Sequence, residues 1–296
     1  MGALHGIIFG LGATKAGTSW LFRYLERHPG CHLRSIKELH YFDALDFGER
    51  GYQIRQLERR ERELEIRLLT APDDALERLR RQLEDCRALL ALHRLPEEDR
   101  GAYLAYLGAG RRKEQALVGD FTPAYGLLSV PRLRMMAALA ARVRFLLVLR
   151  DPVERLWSHV RMNAARMARR PEDVPARAHR IFWRYGRGRH EGIRIRGDYR
   201  AILARLDAAL EPRQLLVLFY EELFSQKTAD RICAFLGLDP FPAPLAEPVH
   251  AGVPVEMSQE QRRHARRWLA PQYEYVRGRF GRLPARWQAD MLEEEG

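Results

Sequence analysis

Cysteine is scarce in this chain. Three residues, Cys31, Cys86 and Cys233, lie far apart in 296 positions. They are odd in number and lack metal-ligand spacing, which excludes a disulfide framework and a cysteine zinc site and leaves them as core thiols. Long apolar runs are missing too, so no segment spans a bilayer. The N-terminus has no basic stretch followed by an apolar run and a cleavage site, and the expectation is a cytoplasmic protein. Repeats and low-complexity tails are absent. Lysine is nearly absent as well, so the net charge of +11 is carried almost wholly by arginine. That balance suits polyanionic partners such as nucleic acid, a membrane surface or an acidic glycan, and GC-rich codon use produces the same bias. Charge alone does not choose among them.

The first forty residues carry the strongest signal. An apolar run, Gly6-Ile7-Ile8-Phe9-Gly10-Leu11, feeds Gly12-Ala13-Thr14-Lys15-Ala16-Gly17-Thr18-Ser19-Trp20. This predicts a buried strand, a glycine-rich turn and a helix from Thr18, an arrangement that cradles phosphate on backbone N–H groups and a helix N-terminus. Gly12 and Gly17 have the spacing of a nucleotide-kinase loop, but Thr18 stands where that loop needs lysine, and the lysine sits inside the turn at Lys15. A later apolar strand, Val143 to Leu149, ends in Arg150 where a kinase or NTPase has a metal-holding aspartate. An arginine there binds an anion. Two cationic strand ends fit a donor with two separate phosphate groups, used without metal.

Along the chain, strands alternate with helices. Strands are expected at 6–11, in a short segment before Lys37, at 116–119, 143–149 and 214–219. Helices are expected from Thr18 and over 131–141, 152–185, 198–209, 226–236 and 258–280, with loops at 184–196 and 240–254. The pattern implies an α/β fold with a parallel sheet and helices on both faces. Residues 52–95 differ. Leu57, Leu64 and Leu68, then Leu76, Leu79, Leu83, Cys86 and Leu90, recur at helical spacing amid Arg and Glu, with Pro72 and two aspartates at the turn. They predict an amphipathic helical hairpin.

In combination these motifs resemble the sulfotransferases that use 3′-phosphoadenosine 5′-phosphosulfate (PAPS). Thr14 to Leu21 is similar to their 5′-phosphosulfate loop, and Leu149-Arg150-Asp151-Pro152-Val153-Glu154-Arg155-Leu156-Trp157-Ser158 to their 3′-phosphate motif. Gly119-Asp120-Phe121-Thr122-Pro123-Ala124-Tyr125, Gly197-Asp198-Tyr199, Leu218 to Leu223 and Phe235 to Leu238 resemble further landmarks, in family order. The resemblance covers most of the chain outside 50–100. It implies a P-loop-NTPase-like three-layer sandwich, one domain over 1–296 with 52–95 inserted. It also implies sulfuryl transfer from PAPS to an acceptor hydroxyl, releasing adenosine 3′,5′-bisphosphate (PAP). Lys15, Ala16, Gly17, Thr18, Ser19 and Trp20 would hold the 5′ end, Lys15 also stabilising charge on the bridging oxygen. Arg150 and Ser158 would hold the 3′-phosphate, and Tyr220 would approach the adenine.

Transfer to a hydroxyl needs a base. Glu38, in Lys37-Glu38-Leu39-His40, matches the glutamate of family members acting on glycosaminoglycan-type sugars. His40 would share its face on a strand and competes for the role. Phe121 replaces a lysine common in glycan-type relatives, and 249–254 replaces a basic loop that closes over the donor. The hairpin could serve as a homodimer arm, a wall of the acceptor cleft or a carrier docking site. The acceptor is read as a sugar hydroxyl, an anionic glycan among the candidates, on Glu38 and on Arg184, Arg187, Arg189, Arg194 and Arg196. A lipid, a phenol or a carrier-bound polyketide stays open. Outside the family, the alternatives are a magnesium-dependent kinase or NTPase and a basic nucleic-acid-binding helical protein.

Overall fold

Five short apolar segments pair into one parallel sheet of order β2-β3-β1-β4-β5: β1 (Gly6–Gly10), β2 (Cys31–Leu33), β3 (Leu117–Asp120), β4 (Val143–Leu149) and β5 (Leu215–Phe219). The computed structural model describes residues 6–244 and 253–292. Every residue of β1 is buried and β4 is nearly so, which explains why both read as unbroken apolar runs: a parallel sheet flanked by helices has no wet face. β1 and β4 are neighbours, with Phe9 opposite Phe145 and the two rings stacked 5.3 Å apart. The chain builds β2 and β3 on one side of β1, then β4 and β5 on the other. The carboxyl ends of β1 and β4 therefore flank the point where the winding direction switches, where open α/β sheets bind ligands.

α1 (Thr18–Arg27) starts at the predicted position. The hairpin forms α3 (Arg50–Leu69) and α4 (Asp73–Arg94), preceded by a short α2 (Tyr41–Asp46). Asp73 and Asp74 lie in the first turn of α4, where they oppose the helix dipole favourably. Leu57 and Leu64 of α3 and Leu79, Leu83, Leu89, Leu90 and Leu92 of α4 join the same buried cluster as the sheet. α5 (Arg100–Gly108) precedes β3, and α6 (Val130–Ala137) ends four residues short of expectation. The expected helix over 152–185 is broken: α7 (Pro152–Met167) and α8 (Val174–Gly186) are separated by a turn at Pro171. The basic stretch 184–196 is not a plain loop, since α8 runs into it and α9 spans Glu191–Ile195. α10 (Tyr199–Ala209), α11 (Tyr220–Leu223), α12 (Gln226–Leu236), α13 (Gln259–Phe280) and α14 (Ala285–Leu292) complete the described chain. Among the described residues no helix is long and apolar enough to cross a membrane.

Candidate active site

The turn after β1 bends through left-handed backbone at Gly12 (φ 110°), Lys15 (φ 70°) and Gly17 (φ 90°). Gly17 is required for space as well: a Cβ there would meet Tyr220 and Leu223 at 2.9 Å. No side chain caps α1, so its first N–H groups face the turn as an open anion site. Lys15 has no carboxylate partner among the described residues. Its ammonium is lowered by burial and then by the charges of Arg150, Arg161, Arg166 and Lys37. Thr18 lies at the mouth, its Oγ1 accepting from Lys37 Nζ (3.2 Å). Trp20 turns away: its indole stacks on Tyr24 and donates to the Pro244 carbonyl (3.2 Å), so only its backbone belongs to the helix start.

Arg150, at the end of β4, reaches this turn. Its Nη1 donates to the Lys15 carbonyl (3.2 Å) and its guanidinium lies 4.4 Å above the Tyr220 ring. Glu154 Oε2 stands 4.0 Å from Nη2, but that carboxylate is already engaged by Arg262 and Arg286. Ser158 follows two turns along α7, nearly buried. One turn before it, Arg155 is fully enclosed with no carboxylate among the described residues. It donates to the Ile193 carbonyl (3.4 Å) and to His159 Nδ1 (3.4 Å). Burial, then Arg155, Arg196, Arg166 and Lys15, hold His159 down at about 2, so it is neutral. Arginine and lysine dominate this half of the site.

The Gly197-Asp198-Tyr199 motif now has a physical role. A Cβ on Gly197 would overlap the Arg155 guanidinium. Asp198 caps α10, and the Tyr199 hydroxyl accepts from Arg150 N–H (3.1 Å) while donating to Arg150 C=O (2.6 Å). Tyr199 thus fixes the backbone that aims the arginine. Tyr199→Phe leaves both backbone groups unpaired, at a cost of about 1–3 kcal/mol. The expected outcome is a melting temperature lowered by several degrees; thermal denaturation checks it, and an unchanged melting temperature would deny Tyr199 this role.

On the other side, Glu38 and His40 meet, though through a turn and not a strand. His40 adopts left-handed backbone (φ 53°) and opens α2, bringing Nε2 to 3.6 Å from Glu38 Oε2. Its Nδ1–H donates to Asp43 Oδ2 (2.7 Å), and Lys37 Nζ donates to Glu38 Oε1 (2.9 Å). Burial alone would favour the neutral imidazole, but the hydrogen bonds to Asp43 and Glu38 push His40 up to about 10. Burial would likewise raise Glu38, and its bonds with His40 and Lys37 hold it down at about 2. At neutral pH Glu38 is a carboxylate and His40 an imidazolium. Behind them Asp120, wholly buried at the end of β3, accepts from Thr122 Oγ1 (2.7 Å), Tyr125 (2.7 Å) and Tyr103 (2.9 Å). Thr122 Oγ1 in turn accepts from the amides of Leu39 (3.0 Å) and His40 (3.3 Å).

Of the sequence-predicted residues, Lys15, Gly17, Thr18, Arg150 and Tyr220 come together at the two strand ends. Glu38 joins them through Lys37 and Thr18. Asp43, Asp120, Thr122 and Tyr199 were missed as working residues, although two of the motifs that hold them were visible. Residues 249–252 of the closure segment lie outside the described residues. Among the described residues no group of three or more His, Cys, Asp or Glu side chains could hold a metal ion.

A family model described as the sulfotransferase family matches residues 8–243. The chain belongs to the sulfotransferase family. Sulfuryl transfer is therefore its general chemistry. A sulfotransferase from Alicyclobacillus acidocaldarius shares the fold, with TM-score 0.62 and 23% identity over 95% of this chain and 98% of that one. Weaker likenesses are a sulfotransferase domain from the curacin biosynthetic pathway (TM-score 0.48, 19% identity, 88% and 82% covered) and one from the Synechococcus PCC 7002 olefin synthase (TM-score 0.41, 21% identity, 97% and 91% covered). No curated protein matches this sulfotransferase.

Proposed function

We propose that this sulfotransferase moves a sulfuryl group from PAPS to an acceptor hydroxyl, without metal, and releases PAP. The observation that carries the reading is the junction of the two cationic strand ends, Arg150 bonded to the carbonyl of Lys15 with no free carboxylate between them. Lys15 and the first amides of α1 hold the 5′ end of the donor. Lys15 also meets the charge that builds on the bridging oxygen as the sulfuryl group departs. Arg150 and Ser158 hold the 3′-phosphate, and Tyr220, already stacked on Arg150, borders the nucleoside. Calorimetric titration with PAP in the absence of magnesium, beside ADP and ATP with magnesium, tests the donor class. Tight PAP binding with weak ADP and ATP is expected; magnesium-dependent ATP binding indifferent to a 3′-phosphate would overturn it.

Glu38 takes the acceptor proton, since a protonated His40 has no lone pair to offer and serves to orient the carboxylate. Glu38→Gln is expected to lower turnover about 10²–10⁴-fold with PAP affinity nearly intact; equal loss of both would make Glu38 structural. The pH dependence follows from the two shifts. Glu38, depressed, stays a base until the pH falls toward 2. His40, raised, keeps its proton and its pairing until the pH climbs toward 10, so the contribution of that pairing to stability is complete below the ordinary histidine range and lost on the alkaline side. The rate profile should be flat through neutrality. An acid limb near the ordinary histidine pKa of about 6.5 would make His40 the base.

The acceptor is a sugar or glycan hydroxyl, an anionic one by the arginines of residues 184–196. Arg184, Arg187 and Arg189 are exposed without carboxylate partners among the described residues, while Arg194 has Glu191 at 3.5 Å. Transfer of labelled sulfuryl from PAPS to a desulfated uronate-containing oligosaccharide, beside a neutral oligosaccharide and p-nitrophenol, distinguishes the classes.

A further inference from the structure

β2 is an edge strand, and after Leu33 the chain has left the sheet. The segment from Leu33 to Leu39, which delivers Glu38, has no strand neighbour to take its backbone hydrogen bonds. Such groups need partners when buried. The second helix of the hairpin supplies them. Arg81 Nη2 donates to the Leu33 carbonyl (3.2 Å). Asp85 Oδ2 accepts from the Ser35 amide (2.6 Å), and its Oδ1 pairs with Arg34 Nη2 (2.7 Å). His93 Nε2 donates to the Leu39 carbonyl (2.9 Å). Asp85 is 4% exposed and His93 2%, so the bonds of these two are shielded from water, while Arg81 lies at the exposed end.

The geometry matches along its length. Arg81, Asp85 and His93 meet Leu33, Ser35 and Leu39 in the same order along the two chains. The twelve steps from Arg81 to His93 advance about 18 Å along a helix axis. Helix and segment therefore run in the same direction, held together near Leu33, at Ser35 and at Leu39. From the opposite side Thr122 receives the Leu39 amide, so Leu39 is clamped at N–H and C=O by two different elements, with Glu38 immediately before it and His40 immediately after.

We propose that the inner face of α4, chiefly Asp85 and His93, is the positioning element for Glu38 and His40, so that the hairpin is part of the apparatus that aims the base. The catalytic consequence rests on Glu38 being that base. The hairpin takes over the work that a sixth strand would do for an interior segment, and its side chains replace a ladder. Reacting groups displaced by about 1 Å lose as much as 10²-fold in rate, which is the scale on which loss of this support is read.

The test uses the full chain with His93→Leu, which fills the space without a donor, and His93→Gln, whose side-chain amide can donate to the same carbonyl. Asp85→Asn, which keeps an oxygen for the Ser35 amide, is the milder companion should His93→Leu fold poorly. In His93→Leu, amide exchange at Leu39, His40 and Tyr41 is expected to quicken at least about 10-fold. Sulfuryl transfer to the uronate-containing oligosaccharide should fall about 10- to 100-fold, with PAP affinity held within about twofold; His93→Gln should restore both exchange and transfer. Asp85→Asn should quicken exchange at Ser35 with a smaller loss of transfer. Wild-type exchange in His93→Leu, a glutamine no better than leucine, or PAP affinity falling in proportion to transfer would each overturn the proposal. A wild-type protein that neither binds PAP nor transfers sulfuryl would sink the functional reading instead, and exchange at residues 39–41 would still report on the clamp.

Discussion

Lys15→Ala is expected to reduce sulfuryl transfer about 10²–10³-fold, on the scale seen when one preorganised donor to a developing charge is removed, and to weaken PAPS binding as well. The ammonium is held in the left-handed turn between β1 and α1, half-buried, surrounded by like charges and without a carboxylate partner among the described residues. A lysine in that position gains most from an anion arriving beside it, and more from one whose charge rises during reaction. Lys15→Arg is a sharper probe. It keeps the charge but brings a broad fork into a narrow turn, so donor binding should recover more than turnover does. Single-turnover transfer with saturating PAPS separates the two effects; retained transfer in Lys15→Ala would remove this residue from the mechanism.

Arg150→Ala should be the largest single loss of donor affinity. The guanidinium faces a 3′-phosphate in the proposed complex, and charge-assisted hydrogen bonds contribute about 1.5–3 kcal/mol each. Calorimetry should show PAP binding weakened about 10²-fold or more, while AMP, which lacks the 3′-phosphate, binds the variant and the wild type alike. Arg150→Lys should recover only part of the difference, because the planar fork also stacks on Tyr220 and donates to the Lys15 carbonyl. An equal loss for PAP and AMP would assign Arg150 to the architecture of the turn and not to the 3′ end.

The sheet and its two strand ends were legible because fully buried parallel strands announce themselves as apolar runs and because glycine and arginine at their ends have few other uses. The hairpin was equally legible from leucine spacing. Its function was not, since Asp85 and His93 read as the polar residues of a solvated helix, and only the path of residues 33–39 buries them. Glu38 and His40 were picked correctly as neighbours for a wrong local reason. Alternation on a strand put them on one face, whereas a left-handed turn at His40 does so in the folded chain. Tyr199 carried no chemical signal: its hydroxyl acts on the backbone of a residue 49 positions away, a pairing that no local pattern contains. The loop read into 184–196 failed at Glu191–Ile195, where a five-residue helix is too short for periodicity to register.

The bond from Arg150 to the carbonyl of Lys15 makes the two proposed anion sites one object. A ligand with a phosphate at each end is then bidentate toward a rigid receptor, and its second contact forms at a high effective concentration as soon as the first is made. Either end can detach and reattach before the other lets go. In the proposed complex the spent nucleotide is therefore expected to depart slowly, and a burst of sulfated product ahead of the steady state would mark its release as the slow step.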